Sequence, residues 1–192
     1  MLTVVLVRPG RTDYDHQGRI QGTLDIPLNE QGQLEVAKLS AELKTVGVEV
    51  IYAAPCESAQ MTAAILAKEC KVKVKVLDKL GNLDHGLWQG MLIDDVKTKQ
   101  PKVYRQWEEH PETVCPPNGE PVSAAVERIH DALQKLIRKH DEDKIAIVVP
   151  EPLATLVRSA LTRTPATDMW EGLGTGASLE ALKIQPHALA SA

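Results

Sequence analysis

Apolar segments of strand length alternate with amphipathic segments of helix length along this chain, and that order constrains the fold more than any other feature of the sequence. Five segments predict strands: residues 2–7, 48–54, 72–76, 144–149 and 178–184. Four longer segments with a three- and four-residue apolar period predict helices: residues 31–46, 57–70, 121–137 and 153–161. Strands that alternate with helices favour a three-layer α/β/α sandwich with a mostly parallel central sheet.

Two stretches interrupt this alternation. Residues 11–29 are polar and aperiodic, which predicts a long loop of the kind that carries function. Residues 78–120 are rich in Gly and Pro and predict an insertion with a short helix or two at 93–109. The 192 residues suit a single domain, 1–192, with this insertion at 78–120.

For two of the predicted elements, the pattern of apolar and polar residues also predicts which face is buried and which is solvated. In the first long helix Asn29 is the expected cap, and Leu34, Ala37, Ala41 and Leu43 fall near one face, which we expect to be buried. Lysine and valine alternate at residues 71–76, which predicts a half-buried or edge strand with its lysines on one solvated face.

Charge and composition exclude several classes of partner. The 22 basic and 26 acidic residues give a net charge of −4, which argues against a nucleic-acid or anionic-membrane binder. No apolar stretch approaches the roughly 20 residues that a bilayer helix needs, and the chain begins directly with a predicted strand instead of a basic leader. Three cysteines without a C-x-x-C pair are typical of a reducing compartment, so we expect a cytoplasmic protein.

The simplest ligand motifs are absent. The glycines at 172–176 precede a strand and open no helix, so they do not form a phosphate loop. Cys56 falls at a predicted helix start, where a lowered thiol pKa competes with an ordinary packing role. The histidines show no metal-ligand spacing, so we expect no metal and no cofactor; they are His16, His85, His110, His130, His140 and His187.

The loops after the predicted strands share a pattern with a known family. The sequence L-V-R-P-G-R-T at residues 6–12 is followed by Arg19, Gln21, Gly22 and the D-x-P-L segment at 25–28. Further matching segments follow in order: residues 51–63, 80–90, 117–120 and 145–158. Together they resemble the histidine phosphatase superfamily in its phosphoglycerate mutase-like branch, over residues 1 to about 184.

That resemblance implies both a fold and a chemistry, but this sequence lacks most of the residues that the chemistry needs. The family transfers phosphoryl groups through a nucleophilic His, holds the oxygens with two Arg, an Asn and a second His, and protonates the leaving oxygen with a Glu. Only Arg8 keeps the residue type of that set. The other positions carry Pro9 for the nucleophile, Asp15 for the Asn, Ser58 for the second Arg, Asn82 for the Glu and Glu151 for the second His.

The charge of these positions is reversed as well. The family's two Arg and one Glu leave a positive set, whereas Arg8, Asp15 and Glu151 leave a negative one. Unit charges about 4 Å apart interact by about 4 kcal/mol at an effective dielectric near 20, so phosphate affinity should be lost. We expect a catalytically inactive protein, a pseudophosphatase with a binding or scaffold role. Its expected ligand cleft consists of Arg8, Gly10, Thr12, Asp15, Gln21 and Gly22.

Alternatives remain open. Arg11 could supply a replacement cation, and His16, His85 or Asp84 could support a relocated phosphatase or mutase mechanism. The reshaped cleft could instead sense a neutral or cationic small molecule through Asp15 and Glu151. Glu151 could also accept Arg8 as a bidentate ion pair, which would turn a ligand clamp into an internal strut. The sequence names no partner, whether protein or small molecule, and no oligomeric state.

Overall fold

A five-stranded sheet forms the centre of the described structure, a computed structural model that covers residues 1–140, 142–166, 169–170 and 172–185. Its strands are β1 (Leu2–Arg8), β2 (Val50–Ala53), β3 (Lys73–Val76), β4 (Lys144–Val148) and β5 (Ser178–Ile184). Their spatial order is β3-β2-β4-β1-β5. All neighbours are parallel except β1 and β5, which are antiparallel. The mostly parallel α/β sheet is therefore confirmed.

Seven helices of the described residues connect and cover these strands. They are α1 (Asp13–Gln17), α2 (Glu30–Val46), α3 (Glu57–Cys70), α4 (Ile93–Lys99), α5 (Pro101–Glu109), α6 (Val122–Lys139) and α7 (Leu153–Thr162). Helix α2 packs on α3 and helix α6 packs on α7. The central strands are almost wholly buried, as expected for parallel strands covered on both faces.

The stretch at residues 11–29 is more ordered than the predicted loop, because it contains α1. Thr12 caps this helix by accepting the Asp15 N–H at 3.2 Å, and the Asp15 carboxylate accepts the Thr12 N–H at 2.7 Å. This reciprocal arrangement satisfies two donors that a single helical turn would leave free. The capping box, not apolar periodicity, stabilises the helix.

The buried face of α2 differs from the predicted one. Leu34 is 65% exposed and Ala37 and Ala41 are exposed, whereas Gly32, Val36, Ser40 and Leu43 are buried. The glycine sets this rotation, since a Cβ on Gly32 would come within 2.1 Å of the Arg11 carbonyl oxygen. Asn29 does cap the helix, accepting the Gly32 N–H at 2.8 Å.

Residues 78–120 contribute α4, α5 and three short 3-10 turns. Pro101 separates the two helices, because proline suits a first helical turn and supplies no N–H to a preceding one. A small second cluster of buried side chains, Ile20, Trp88, Val96 and Trp107, lies apart from the main core. No helix of the described residues has the length and apolarity to cross a bilayer.

Two leucines of α2 provide a direct check of its rotation. We expect Leu43→Ala to lower the free energy of unfolding by about 2–5 kcal/mol, because Leu43 is fully buried. Leu34→Ala, the same substitution on the same helix, should change it by less than about 0.5 kcal/mol. Urea unfolding of both variants measures the difference, and equal losses would contradict the rotation described here.

Candidate functional site

The site lies at the carboxyl ends of β1 and β4, where the two strands are parallel neighbours and their connections leave in different directions. Ligands of open α/β sheets bind in this kind of crevice. Here it contains a cavity of about 130 Å³. Its polar and charged lining comprises Arg8, Thr12, Tyr14, Asp15, Arg19, Gln21, Ser58, His85 and Glu151.

The structure brings most of the predicted site residues to this one cavity. All six residues of the expected cleft line it, and so do three of the positions that depart from the family pattern, Pro9, Ser58 and Glu151. Asp15, a member of the expected cleft, also departs from that pattern, and the fifth departing position, Asn82, is buried but is not part of the lining. A wider groove of about 610 Å³ adjoins the cavity, and Arg8 and Glu151 line both.

Arg8 and Glu151 form an ion pair, but not the bidentate pair that the sequence suggested. Arg8 Nη1 lies 3.6 Å from Glu151 Oε1. The second contact is missing because each group is held elsewhere. Arg8 Nε donates to Ser178 Oγ at 2.6 Å, and Glu151 Oε2 accepts the Thr155 N–H at 3.1 Å and its hydroxyl at 3.0 Å.

The Glu151 carboxylate is nearly enclosed, since only 9% of its side chain is exposed. A Cβ on Gly172 would come within 2.5 Å of Glu151 Oε1, so the carboxylate packs directly against that glycine. Burial raises the pKa of Glu151 above its ordinary value, and it outweighs the opposing effects of Thr155 and Arg8. Glu151 is therefore a weaker acid than a surface glutamate.

Asp15 and Asn82 have become parts of the scaffold. Asp15 Oδ2 accepts both the N–H and the hydroxyl of Thr12, the hydroxyl at 2.9 Å, so this carboxylate secures the start of α1. Asn82 Nδ2 donates to the carbonyls of Gly22 at 3.1 Å and Glu151 at 3.0 Å. The amide thus ties together two loops that border the cavity.

The second cation of the cavity lining, besides Arg8, is Arg19 and not Arg11. Arg11 is not part of the lining, and its guanidinium pairs with Glu35 at 2.8 Å and donates to the carbonyls of Gly174 and Thr175. The expectation that Arg11 supplies charge to the site is therefore wrong. Arg19 lines the cavity and donates to the Gly90 carbonyl at 2.7 Å, which fixes its guanidinium against a loop.

Of the three residues considered for a relocated mechanism, only His85 reaches the cavity. His16 is exposed on α1, and Asp84 Oδ1 accepts the Gly86 N–H at 2.8 Å; neither lines the cavity. His85 is 3% exposed, and its Nδ1 has no hydrogen-bond partner in the part of the chain that the structure describes. Burial lowers the pKa of His85 to about 4, so its ring is neutral near pH 7.

An aromatic wall stands beside His85, and sequence reasoning missed it. The ring of Trp107 lies 5.8 Å from that of His85 and is stacked at 3.9 Å on Trp170. Trp107 itself lines the cavity. The available signal was the scarcity of aromatics, only 3% of residues, which made each tryptophan conspicuous.

The remaining candidates contribute little to the site. Cys56 is buried outside the lining, and burial raises the pKa of its thiol, which disfavours the nucleophilic thiolate. The described residues contain no group of three or more His, Cys, Asp or Glu placed to hold a metal. His187 lies outside the described residues.

Comparison with known proteins agrees with this geometry. The family model of the histidine phosphatase superfamily (branch 1) matches residues 4–191. The chain belongs to this superfamily. It is 31% identical to phosphoserine phosphatase 1 of Hydrogenobacter thermophilus, over 77% of this chain and 70% of that protein. It is also 32% identical to the probable phosphoglycerate mutase GpmB of Cronobacter sakazakii, over 69% of this chain and 62% of that protein.

Solved structures show the same fold. YhfR of Bacillus stearothermophilus superposes with a TM-score of 0.85 at 23% identity, covering 96% of this chain and 92% of that one. A mycobacterial hydrolase superposes with a TM-score of 0.82 at 23% identity, over 94% and 90% of the two chains. The phosphatase fold is thus retained around a cavity in which Pro9 stands at the expected nucleophile position.

The buried Glu151 makes the stability of this histidine phosphatase relative depend on pH. Because its pKa is raised on folding, the folded protein binds this proton more tightly than the unfolded chain, and stability falls as pH rises from the ordinary value of 4.5 through the raised one. Glu151→Gln removes that loss. We therefore expect the melting temperature of the variant, relative to wild type, to increase between about pH 4 and about pH 7.

Thermal unfolding of both proteins across this range measures the effect. The comparison carries an internal control, since the wild-type carboxyl is itself neutral at the acidic end. A variant that loses relative stability as pH rises would show that Arg8 outweighs burial at this site.

Proposed function

We propose that this chain is a pseudophosphatase: a histidine phosphatase fold without phosphoryl-transfer activity that works as a binding or scaffold protein. The observation that carries the proposal is Pro9. It lines the cavity beside Arg8, where the resemblance calls for the attacking His, and its ring offers no lone pair and no ionisable group. A proline at this position cannot act as the nucleophile that forms a covalent phosphoryl intermediate.

The electrostatics of the cavity support the same conclusion. Phosphoryl transfer needs unopposed cations around the equatorial oxygens. Arg8 already has Ser178 and Glu151 as partners, and Arg19 is bound to a backbone carbonyl. A phosphate placed beside Arg8 would also face the Glu151 carboxylate, which costs affinity and raises the barrier for an anionic transition state.

The acid function has been replaced by a structural one. An Asn cannot protonate a leaving oxygen. The Nδ2 of Asn82 donates its two observed hydrogen bonds to the Gly22 and Glu151 carbonyls. Its side chain does not line the cavity. Nucleophile, acid and clamp are thus all altered, while the cleft itself persists.

The same cavity suits a ligand of different chemistry. Its wall offers the Glu151 carboxylate and the Gln21 side chain as acceptors, with Trp107 and Ile93 as apolar surface. A small neutral or cationic molecule fits this lining better than a phosphate ester does.

The three free cysteines and the absence of a spanning helix among the described residues are consistent with our proposal of a cytoplasmic protein.

A second candidate function rests on His85 and on the relatives that are named as phosphatases and mutases. Neutral imidazole is the nucleophilic form of histidine, and His85 combines that form with an unpartnered Nδ1 at the cavity wall. This candidate is a phosphatase or mutase-like enzyme whose attacking group comes from the loop before Trp88 instead of from the end of β1.

Phosphatase assays with p-nitrophenyl phosphate, phosphoserine and 3-phosphoglycerate test the proposal. We expect no turnover from the wild-type protein and no rise in its melting temperature with inorganic phosphate, because a phosphate beside Arg8 would also face Glu151. The variant with Pro9→His, Ser58→Arg, Asn82→Glu and Glu151→His should gain phosphate stabilisation and some turnover. Each single substitution should gain neither, because these groups act as a unit.

The second candidate predicts a different set of results. Wild-type turnover that disappears in His85→Ala, with an acid-labile phosphoryl group trapped on the protein, would overturn the pseudophosphatase. Turnover that is identical in wild type, His85→Ala and Arg8→Ala would come from a contaminant, and the proposal would stand. His130→Ala, a substitution on α6 outside the cavity, is the matched control.

A further inference from the structure

The strand β3 forms one edge of the sheet, and its outer side is open. It pairs only with β2 among the described strands, and all four of its residues are exposed. Val74 is 37% and Val76 is 44% exposed, which is unusual for valines in a sheet. An edge of this kind presents unpaired backbone donors and acceptors to any extended segment that can reach it.

The hydrogen bonds identify which backbone groups are free. The Leu77 N–H donates to the Ala53 carbonyl of β2 at 2.9 Å. In a strand, alternate residues face the same neighbour. Lys73 and Lys75 therefore share the β2-facing register of Leu77, and the N–H and C=O groups of Val74 and Val76 face outward.

The side chains around this edge are cationic, although the whole chain carries a net charge of −4. Lys73 and Lys75 share one face, and Lys139 at the end of α6 approaches it closely enough to hold the pKa of Lys75 below its usual value. None of these three lysines forms an ion pair with any described residue; Lys75 instead lies 5.8 Å from the Tyr52 ring centroid.

A second copy of this chain fits the edge poorly. In antiparallel pairing across a two-fold axis, residues that face each other across the seam point to the same side of the sheet. Lysines of one copy would therefore meet lysines of the other in every such register. Like charges directly opposite each other destabilise a strand pair, so the pattern disfavours self-association here.

We propose that β3 is a docking edge for an extended acidic segment of another protein, which adds to the sheet as a further strand. Its backbone would pair with the outward groups of Val74 and Val76. Its carboxylates would lie beside Lys73, Lys75 and Lys139, and alternate apolar side chains would cover the exposed valines. Such strand addition takes affinity from the main chain and specificity from alternate side chains.

The position of this edge separates it from the cavity. Strands β2 and β4 lie between β3 and the strand β1 that carries Arg8. A partner bound at β3 therefore leaves the cleft accessible. The docking edge goes beyond the proposed cleft function, and either can fail without the other.

Fluorescence polarisation with labelled octapeptides tests the docking edge on the full chain. The probe alternates Glu and Val; one control alternates Lys and Val, and another places the same Glu and Val residues in two blocks. We expect the alternating acidic peptide to bind at least tenfold more tightly than either control. Equal binding of the alternating and block peptides would reduce the effect to general charge attraction and overturn the proposal, as would no binding at all.

Two variants separate charge from backbone pairing. Lys73→Glu combined with Lys75→Glu should weaken binding at least tenfold, whereas Lys38→Glu combined with Lys102→Glu, with the same charge change on α2 and α5, should leave it within twofold. Val74→Pro removes one outward N–H without touching a β2-facing one and should also weaken binding at least tenfold, whereas Val74→Ala keeps that donor.

Circular dichroism checks that each variant is folded. If Val74→Pro does not fold, the Lys73 and Lys75 double variant alone tests the docking edge. Unchanged binding in the Lys73 and Lys75 double variant would overturn the proposal. So would a wild-type dimer that Val74→Pro dissociates, because the edge would then belong to a second copy.

Discussion

The contact between Arg8 and the loop after β4 organises the cleft. Val7 of β1 and Val148 of β4 are register partners in adjacent parallel strands, so the residues that follow them leave the sheet at the same edge. On the other side, Arg8 is itself the register partner of Ser178 in the antiparallel strand β5. Arg8 is therefore held between two neighbours, since its Nε donates to Ser178 Oγ at 2.6 Å and its Nη1 lies 3.6 Å from the Glu151 carboxylate.

The polar residues around this contact hold neighbouring loops together. Asp15 caps α1, Asn82 connects the Gly22 and Glu151 backbones, and Arg11 fastens the segment at Gly174 to α2 through Glu35. All of these bonds except the one between the Arg11 and Glu35 side chains satisfy a backbone group that would otherwise cost free energy if buried.

The sequence predicted the five strands and the mostly parallel sheet, because apolar periodicity and the Gly and Pro residues that end each segment are local properties. It failed where the answer depended on a distant partner. Leu34 was predicted on the buried face of α2 but is exposed, and Val36 is buried instead, because Gly32 packs against the Arg11 backbone. The guanidinium of Arg11 is not part of the cavity lining, because it pairs with Glu35 at 2.8 Å. Neither contact has a signature in nearby residues.

The sequence alone determined that the chain forms a mostly parallel α/β sheet, because apolar periodicity is local, and that residue 9 is a proline, whose side chain has no ionisable group wherever it lies. Only the tertiary structure decided that Asn82 bonds two loops instead of lining the cavity, that His85 lines it as a neutral ring, and that the sheet edge predicted as one alternative for residues 71–76 is present. Burial, pKa and free backbone edges are properties of a residue's surroundings. Those surroundings come from segments far apart in the chain, and they exist only once the sheet has formed.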